Sequence, residues 1–95
     1  MSDEHMITGE TRDSFTDCST VLWFSEEMIK KLRKNSHKAH WSTVDCDYLF
    51  GRFLEEVEEL KKAREGELPI NIIRECADAG NFLMMIADNV KNGKG

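Results

Sequence analysis

Apolar residues recur along three stretches of the chain at the three- and four-residue spacing of a helix face. Val21, Leu22, Phe24, Met28, Ile29 and Leu32 define the first. Ser19 or Thr20 is placed to cap it, and Lys30, Lys31, Arg33 and Lys34 suit its carboxyl end, where the helix dipole favours cations. Asn35 and Ser36 end it, and His37–Val44 carries too little pattern to assign. Leu49, Phe50, Phe53, Leu54, Val57 and Leu60 define a second helix, starting at Asp45 or Asp47 and running to about Glu65. Gly66 is the expected stop, and Pro69 fits the first turn of a third helix from about Ile70 to Val90, closed by Asn92-Gly93. Residues 1 to about 15 lack periodicity and are expected to form a loose tail, leaving an all-α domain over 16–92. With one proline and no strand-like alternation, the prediction is a three-helix antiparallel protomer.

Size alters that picture. A chain of 95 residues buries only about 60–65% of the surface it exposes when unfolded, so its own core is thin. Such domains lean on disulfides, metal or self-association. Cys18, Cys46 and Cys76 are odd in number and widely spaced, without a CxxC pair, and read as thiols in a reducing compartment. Metal, oligomerisation or both remain. The net charge of −5 and pI near 5.1 argue against a nucleic-acid polymer as partner. The polar, acidic start and the absence of a membrane-length apolar run lead to the expectation of a cytoplasmic protein without membrane contact.

Candidate chemistry lies in two acidic clusters. Glu55-Glu56-Val57-Glu58-Glu59 occupies the second helix, where Glu56 falls nearest the apolar arc and Glu59 one turn beyond it. Glu55 points nearly opposite the core. This run alone is equally the mark of a solvated face. The third helix is more telling: from Glu75 to Ala87 its only polar side chains are Glu75, Asp78 and Asn81. Two carboxylates on so apolar a helix need a compensating cation, because unpartnered burial costs several kcal/mol or forces protonation. An all-oxygen set suits Mg²⁺, Mn²⁺ or Ca²⁺ rather than zinc. Asn81 either orients a ligand or makes an interhelical hydrogen bond.

FLEEVEELKKA (53–63) followed by ECADAGNFLMMIA (75–87) resembles the MazG-like nucleoside triphosphate pyrophosphohydrolases, whose signature is EExxE, a spacer, then ExxD. KKLRKNSHKAHW also looks like the lead-in of short members, and the resemblance spans roughly residues 20–90. It implies metal ligands at Glu56, Glu59, Glu75 and Asp78, with Mg²⁺ as cofactor and Mn²⁺ as a second candidate. It implies that Glu55 either supports the metal ligands from behind or helps activate the attacking water. The reaction implied is hydrolysis of a nucleoside triphosphate between its α- and β-phosphates, giving monophosphate and pyrophosphate. The chain departs from the pattern at Glu58, where many members carry a small residue, and in its shortness. Members of this size resemble half-sites, which implies a homodimer or homotetramer completing a four-helix-type bundle. Trp41 is the expected stacking partner for the base, or else packs on the bundle, and Lys38 is the candidate phosphate contact. The alternative reading is a regulator that binds nucleotide or metal without turnover.

Overall fold

A computed structural model describes residues 13–95, which form three α-helices, α1 (Ser14–Lys34), α2 (Cys46–Ala63) and α3 (Pro69–Lys91). A single 3₁₀ turn, Trp41–Thr43, lies in the first connection. No strand occurs among the described residues, and none of their helices is long and apolar enough to cross a membrane.

α1 begins earlier than its apolar pattern. Asp13 caps it, accepting from the Phe15 amide at 3.1 Å and the Thr16 hydroxyl at 2.8 Å. Ser19 and Thr20, the expected caps, lie inside the helix, where the Thr20 hydroxyl bonds back to the Thr16 carbonyl. The first turns are solvated and carry only the exposed Phe15 as a large apolar residue, so hydrophobic periodicity carries no trace of them. Of the expected tail, residues 1–12 lie outside the described part, while Ser14 and Phe15 are helical.

α2 begins on Asp45 and ends at Ala63 without the left-handed stop expected of Gly66. Arg64 stays right-handed, and the Ala63 carbonyl takes the Glu67 amide at 2.9 Å. Pro69 opens α3 at its first position, where no amide proton is needed. At the other end Gly93 turns left-handed (φ 83°). There the Lys94 amide reaches the Asn89 carbonyl at 2.8 Å and the Gly93 amide the Val90 carbonyl at 3.0 Å, the two bonds of a Schellman closure.

α3 is the central element, packed on α2 along one side and α1 along another, whereas α1 and α2 do not pack on each other. Small residues let this happen. Ala77 and Ala79 are buried, and a Cβ at Gly80 would stand 3.3 Å from the Phe24 ring. Asn81 Nδ2 bonds the Met28 carbonyl at 3.0 Å, and Lys31 reaches Asp78 further along. These pairs run α1 antiparallel to α3. Arg52 over Phe82, and Glu56 beside Glu75 and Asp78, do the same for α2. Both outer helices therefore run in one sense, and residues 35–45 span the length between them.

The core is thin, as the length implies. Among the described residues Leu49, Ala63, Ala77 and Ala79 are the buried hydrophobic ones, and α1 has no fully buried residue. Val21 and Leu22 are about two-thirds exposed (67% and 66%).

Candidate metal centre

The helix wheel puts Glu56 at the edge of the apolar arc of α2, and packing against α3 carries it inside, to 6% exposure. Opposite it, Glu75 and Asp78 project from successive turns of α3 on either side of the buried Ala77. One oxygen from each of Glu56, Glu75 and Asp78 lies within 4.8 Å of the others. Glu75 Oε1 is buried with no hydrogen-bond partner while both carboxylates are ionised, since Glu56 can donate to Glu75 only when protonated. A buried polar atom left unpaired costs about 1–3 kcal/mol, and more when charged.

The electrostatics point the same way. Burial pushes the Glu56 carboxyl up from 4.5 to about 7, helped by the charges of Glu59, Asp78 and Glu75 and opposed by Arg52. Glu75 is also raised, by burial first and then by Glu59 and Asp78, while Lys31 and a hydrogen bond with Glu56 pull it back. Two side-chain cations bracket the cluster. Lys31 Nζ lies 3.2 Å from Asp78 Oδ2, and Arg52 Nη2 3.6 Å from Glu56 Oε2. Arg52 is shared, since its other nitrogen pairs with Glu55 and its guanidinium lies 5.2 Å over the Phe82 ring. With Glu59 nearby, the carboxylates outnumber these cations. The cluster, the orphaned Glu75 oxygen and the all-oxygen donors fit a hard divalent ion.

Glu59 is exposed and stands outside this compact triad, although its charge is felt by both Glu56 and Glu75. Glu55 is solvent-facing, as the wheel requires, and held by Arg52. Asn81 is buried and makes the interhelical bond that was one of its two expected roles; its Oδ1 has no partner.

A cleft of about 560 Å³ opens beyond the triad, with Lys38 and Trp41 on one side and Leu49, Tyr48, Phe82 and Met85 on the other. Leu49 stands two turns before Glu56 on α2, and Phe82 one turn after Asp78 on α3. Cleft and carboxylates are therefore roughly 6–11 Å apart along the helix axes. Trp41 is part of both the cleft wall and the scaffold. Its indole N–H donates to Asp88 Oδ2 at 3.0 Å, Asn89 Nδ2 donates to its carbonyl at 3.1 Å, and His40 stacks on its ring at 4.1 Å. Lys38 is exposed.

Lys31 was not anticipated at the site, having been read with the basic end of α1. Its signal is positional: Phe24, Met28 and Lys31 are spaced i, i+4, i+7, so the lysine continues the stripe that faces α3. Asp88 and Asn89 carried no such cue, because their partner lies in a connection without pattern.

No family model, curated protein or solved structure matches this chain.

Proposed function

We propose that this chain is a Mg²⁺-dependent nucleoside triphosphate pyrophosphohydrolase of the MazG-like kind, with Mn²⁺ as the alternative ion. The observation that carries the reading is the buried triad Glu56, Glu75 and Asp78 with its unpartnered Glu75 oxygen. Surface acids seldom converge from two helices around an unsatisfied atom, and in a thin-cored domain that arrangement needs a cation. The EExxE and ExxD segments supply the family, and the cleft on the same two helices supports a nucleotide rather than a bare ion as ligand.

In this reading Glu56, Glu75 and Asp78 would hold the ion, and Glu59 would join them only by turning in from its exposed position. The bound ion supplies neutralisation of the phosphate chain and a polarised water. Glu55, held by Arg52 at the solvent edge, is the residue the resemblance assigns to that water, and it would have to turn in from solvent to orient it toward the α–β anhydride. Cleavage there releases monophosphate and pyrophosphate without a covalent intermediate. Trp41, anchored through its indole N–H on Asp88, offers the base the ring face that His40 does not cover. Stacking of this kind contributes roughly 1–3 kcal/mol.

The chain acts as a homodimer or homotetramer. Val21, Leu22, Trp23 and Ile29 on α1, with Phe50 and Leu54 on α2, are all more than two-fifths exposed. Fully burying one Val or Leu side chain contributes about 1.5–3 kcal/mol, a gain this small core needs.

The test is pyrophosphate release from ordinary, deoxy and modified triphosphates with Mg²⁺, using Glu56→Gln as control. Release by the wild type well above the control supports the enzyme. Nucleotide or Mg²⁺ binding by calorimetry without release supports the non-catalytic regulator.

A further inference from the structure

On the other side of the carboxylate triad, α1 and α3 enclose a recess of about 220 Å³ lined by Lys30, Lys31, Lys34, Arg74 and Glu27. Four cations and one carboxylate surround it, in a chain whose net charge is −5. Only two of the four cations are paired internally. Glu27 pairs with Lys30 at 2.9 Å and Asp78 with Lys31 at 3.2 Å. Lys34 and Arg74 have no ion-pair partner among the described residues.

Like charges are gathered here by the helix register. Lys30, Lys31 and Lys34 lie within one turn of α1, and the antiparallel packing that sets Lys31 on Asp78 brings Lys34 toward Arg74. Unpaired cations held together repel one another, and an anion relieves that cost. The recess is smaller than a whole small-molecule site, which suits a compact anion. Its donors are three ammonium groups and one guanidinium, the last able to grip two oxygens of one group.

We infer that this recess is an anion site for a phosphate chain, adjoining the carboxylate centre but binding without it. Lys31 belongs to both, touching Asp78 on one side and lining the recess on the other. The site deepens the proposed hydrolase reading, in which it receives the distal phosphates or the released pyrophosphate, but phosphate-chain binding here needs neither metal nor turnover. The distal end of a nucleotide and free inorganic polyphosphate share this chemistry.

The experiment is isothermal titration of the full chain in EDTA, at low salt, with inorganic phosphate, pyrophosphate, tripolyphosphate and a nucleoside triphosphate in separate arms. Wild type is compared with Lys34→Ala/Arg74→Ala, both exposed positions, and with Glu56→Gln. Helicity and melting are checked for each. Metal-free pyrophosphate binding is expected, weakened about tenfold or more in the double variant and kept in Glu56→Gln. Nucleotide binding tighter than tripolyphosphate assigns the site to a nucleotide tail, and equal or weaker binding assigns it to free polyphosphate. The inference is overturned if the wild type binds none of the four, or if a folded double variant binds them equally well. A failed hydrolase reading shows separately, as absence of pyrophosphate release with Mg²⁺ while this metal-free binding persists.

Discussion

Replacing Glu56 by Gln tests whether the triad is held against its own charge. The carboxyl is raised from 4.5 to about 7 by burial and by Glu59, Asp78 and Glu75, with Arg52 opposing. The folded protein therefore binds this proton more tightly than the unfolded chain does. Between pH 4.5 and 7 the folded state carries more protons, so metal-free stability falls as pH rises through that window. A rise of this size corresponds to roughly 3 kcal/mol at most, and water entry lowers it toward 1–2 kcal/mol. Gln keeps the shape without the charge. At pH 8 in EDTA the variant is expected to be the more stable protein by about 1–3 kcal/mol. For a domain of this size, each kcal/mol moves the melting temperature by roughly 4–8 °C.

Near pH 5 the wild-type carboxyl is mostly protonated, and the two melting temperatures are expected to converge. The assay is thermal unfolding by circular dichroism at one fixed protein concentration, since self-association makes melting temperature concentration-dependent. Mg²⁺ should reverse the order at pH 8. At a hundred times its dissociation constant a ligand stabilises the wild type by about 2.7 kcal/mol, and Gln removes one of its ligands. A Glu56→Gln protein less stable than wild type at pH 8 in EDTA refutes the reasoning, as does a difference unchanged between pH 5 and pH 8.

Other expectations follow from the same contacts. Mg²⁺ affinity measured by calorimetry should fall as pH drops below about 7, because Glu56 must lose its proton to bind an ion; a flat profile from pH 8 to pH 5.5 contradicts this. Lys31→Met removes the cation resting on Asp78, so the metal-free protein should lose about 0.5–1 kcal/mol while Mg²⁺ binds severalfold more tightly; weaker Mg²⁺ binding argues against Lys31 as a competitor for that carboxylate. Asp88→Ala strips the Trp41 indole of its acceptor and should cost about 1–2 kcal/mol, with Trp41 emission, read in a Trp23→Phe background, becoming more accessible to quencher. Leu22→Glu, at a site 66% exposed in the single chain, should lower the mass seen in sedimentation; a wild type that sediments as a monomer ends the oligomer proposal.

Much of the fold is legible in the residue pattern because burial leaves a period. α2 and α3 fall within one or two residues of their expected bounds, set by apolar faces and by Pro69 and Gly93. The start of α1 is not legible that way. Its first two turns bury little, and Asp13, which caps them, precedes any apolar repeat. Nor was Gly66 used as expected, since Arg64 leaves the helix right-handed and no left-handed residue is required. The carboxylates behave similarly. Glu56 was identified by its place on the apolar arc, and Glu75 and Asp78 by their isolation on an apolar helix. What the pattern cannot carry is pairing across helices. Lys31 on Asp78 and Asn81 on the Met28 carbonyl depend on the relative register of α1 and α3, which one-dimensional periodicity does not encode.

That register also explains why the acids sit where they do. α1 and α2 do not pack on each other, so each is positioned only through α3. Close approach on both sides requires small residues, and Ala77, Ala79 and Gly80 supply them between Glu75 and Asn81. The same small residues leave little apolar surface to hold the helices together. The carboxylates then add repulsion at the α2–α3 junction, the most extensive helix contact in the fold. In a larger domain such a cluster would be a local cost carried by a surplus elsewhere; here the four buried hydrophobic residues among those described offer no surplus. Lys31 from α1 and Arg52 from α2 each offset part of the charge from their own side, but neither spans the three helices. A divalent ion shared by Glu56, Glu75 and Asp78 would join α2 to α3 directly and would relieve the unpartnered Glu75 oxygen. Binding energy gained by the folded state alone is folding energy. Metal is therefore expected to act on this chain as a structural clamp even where no nucleotide is present.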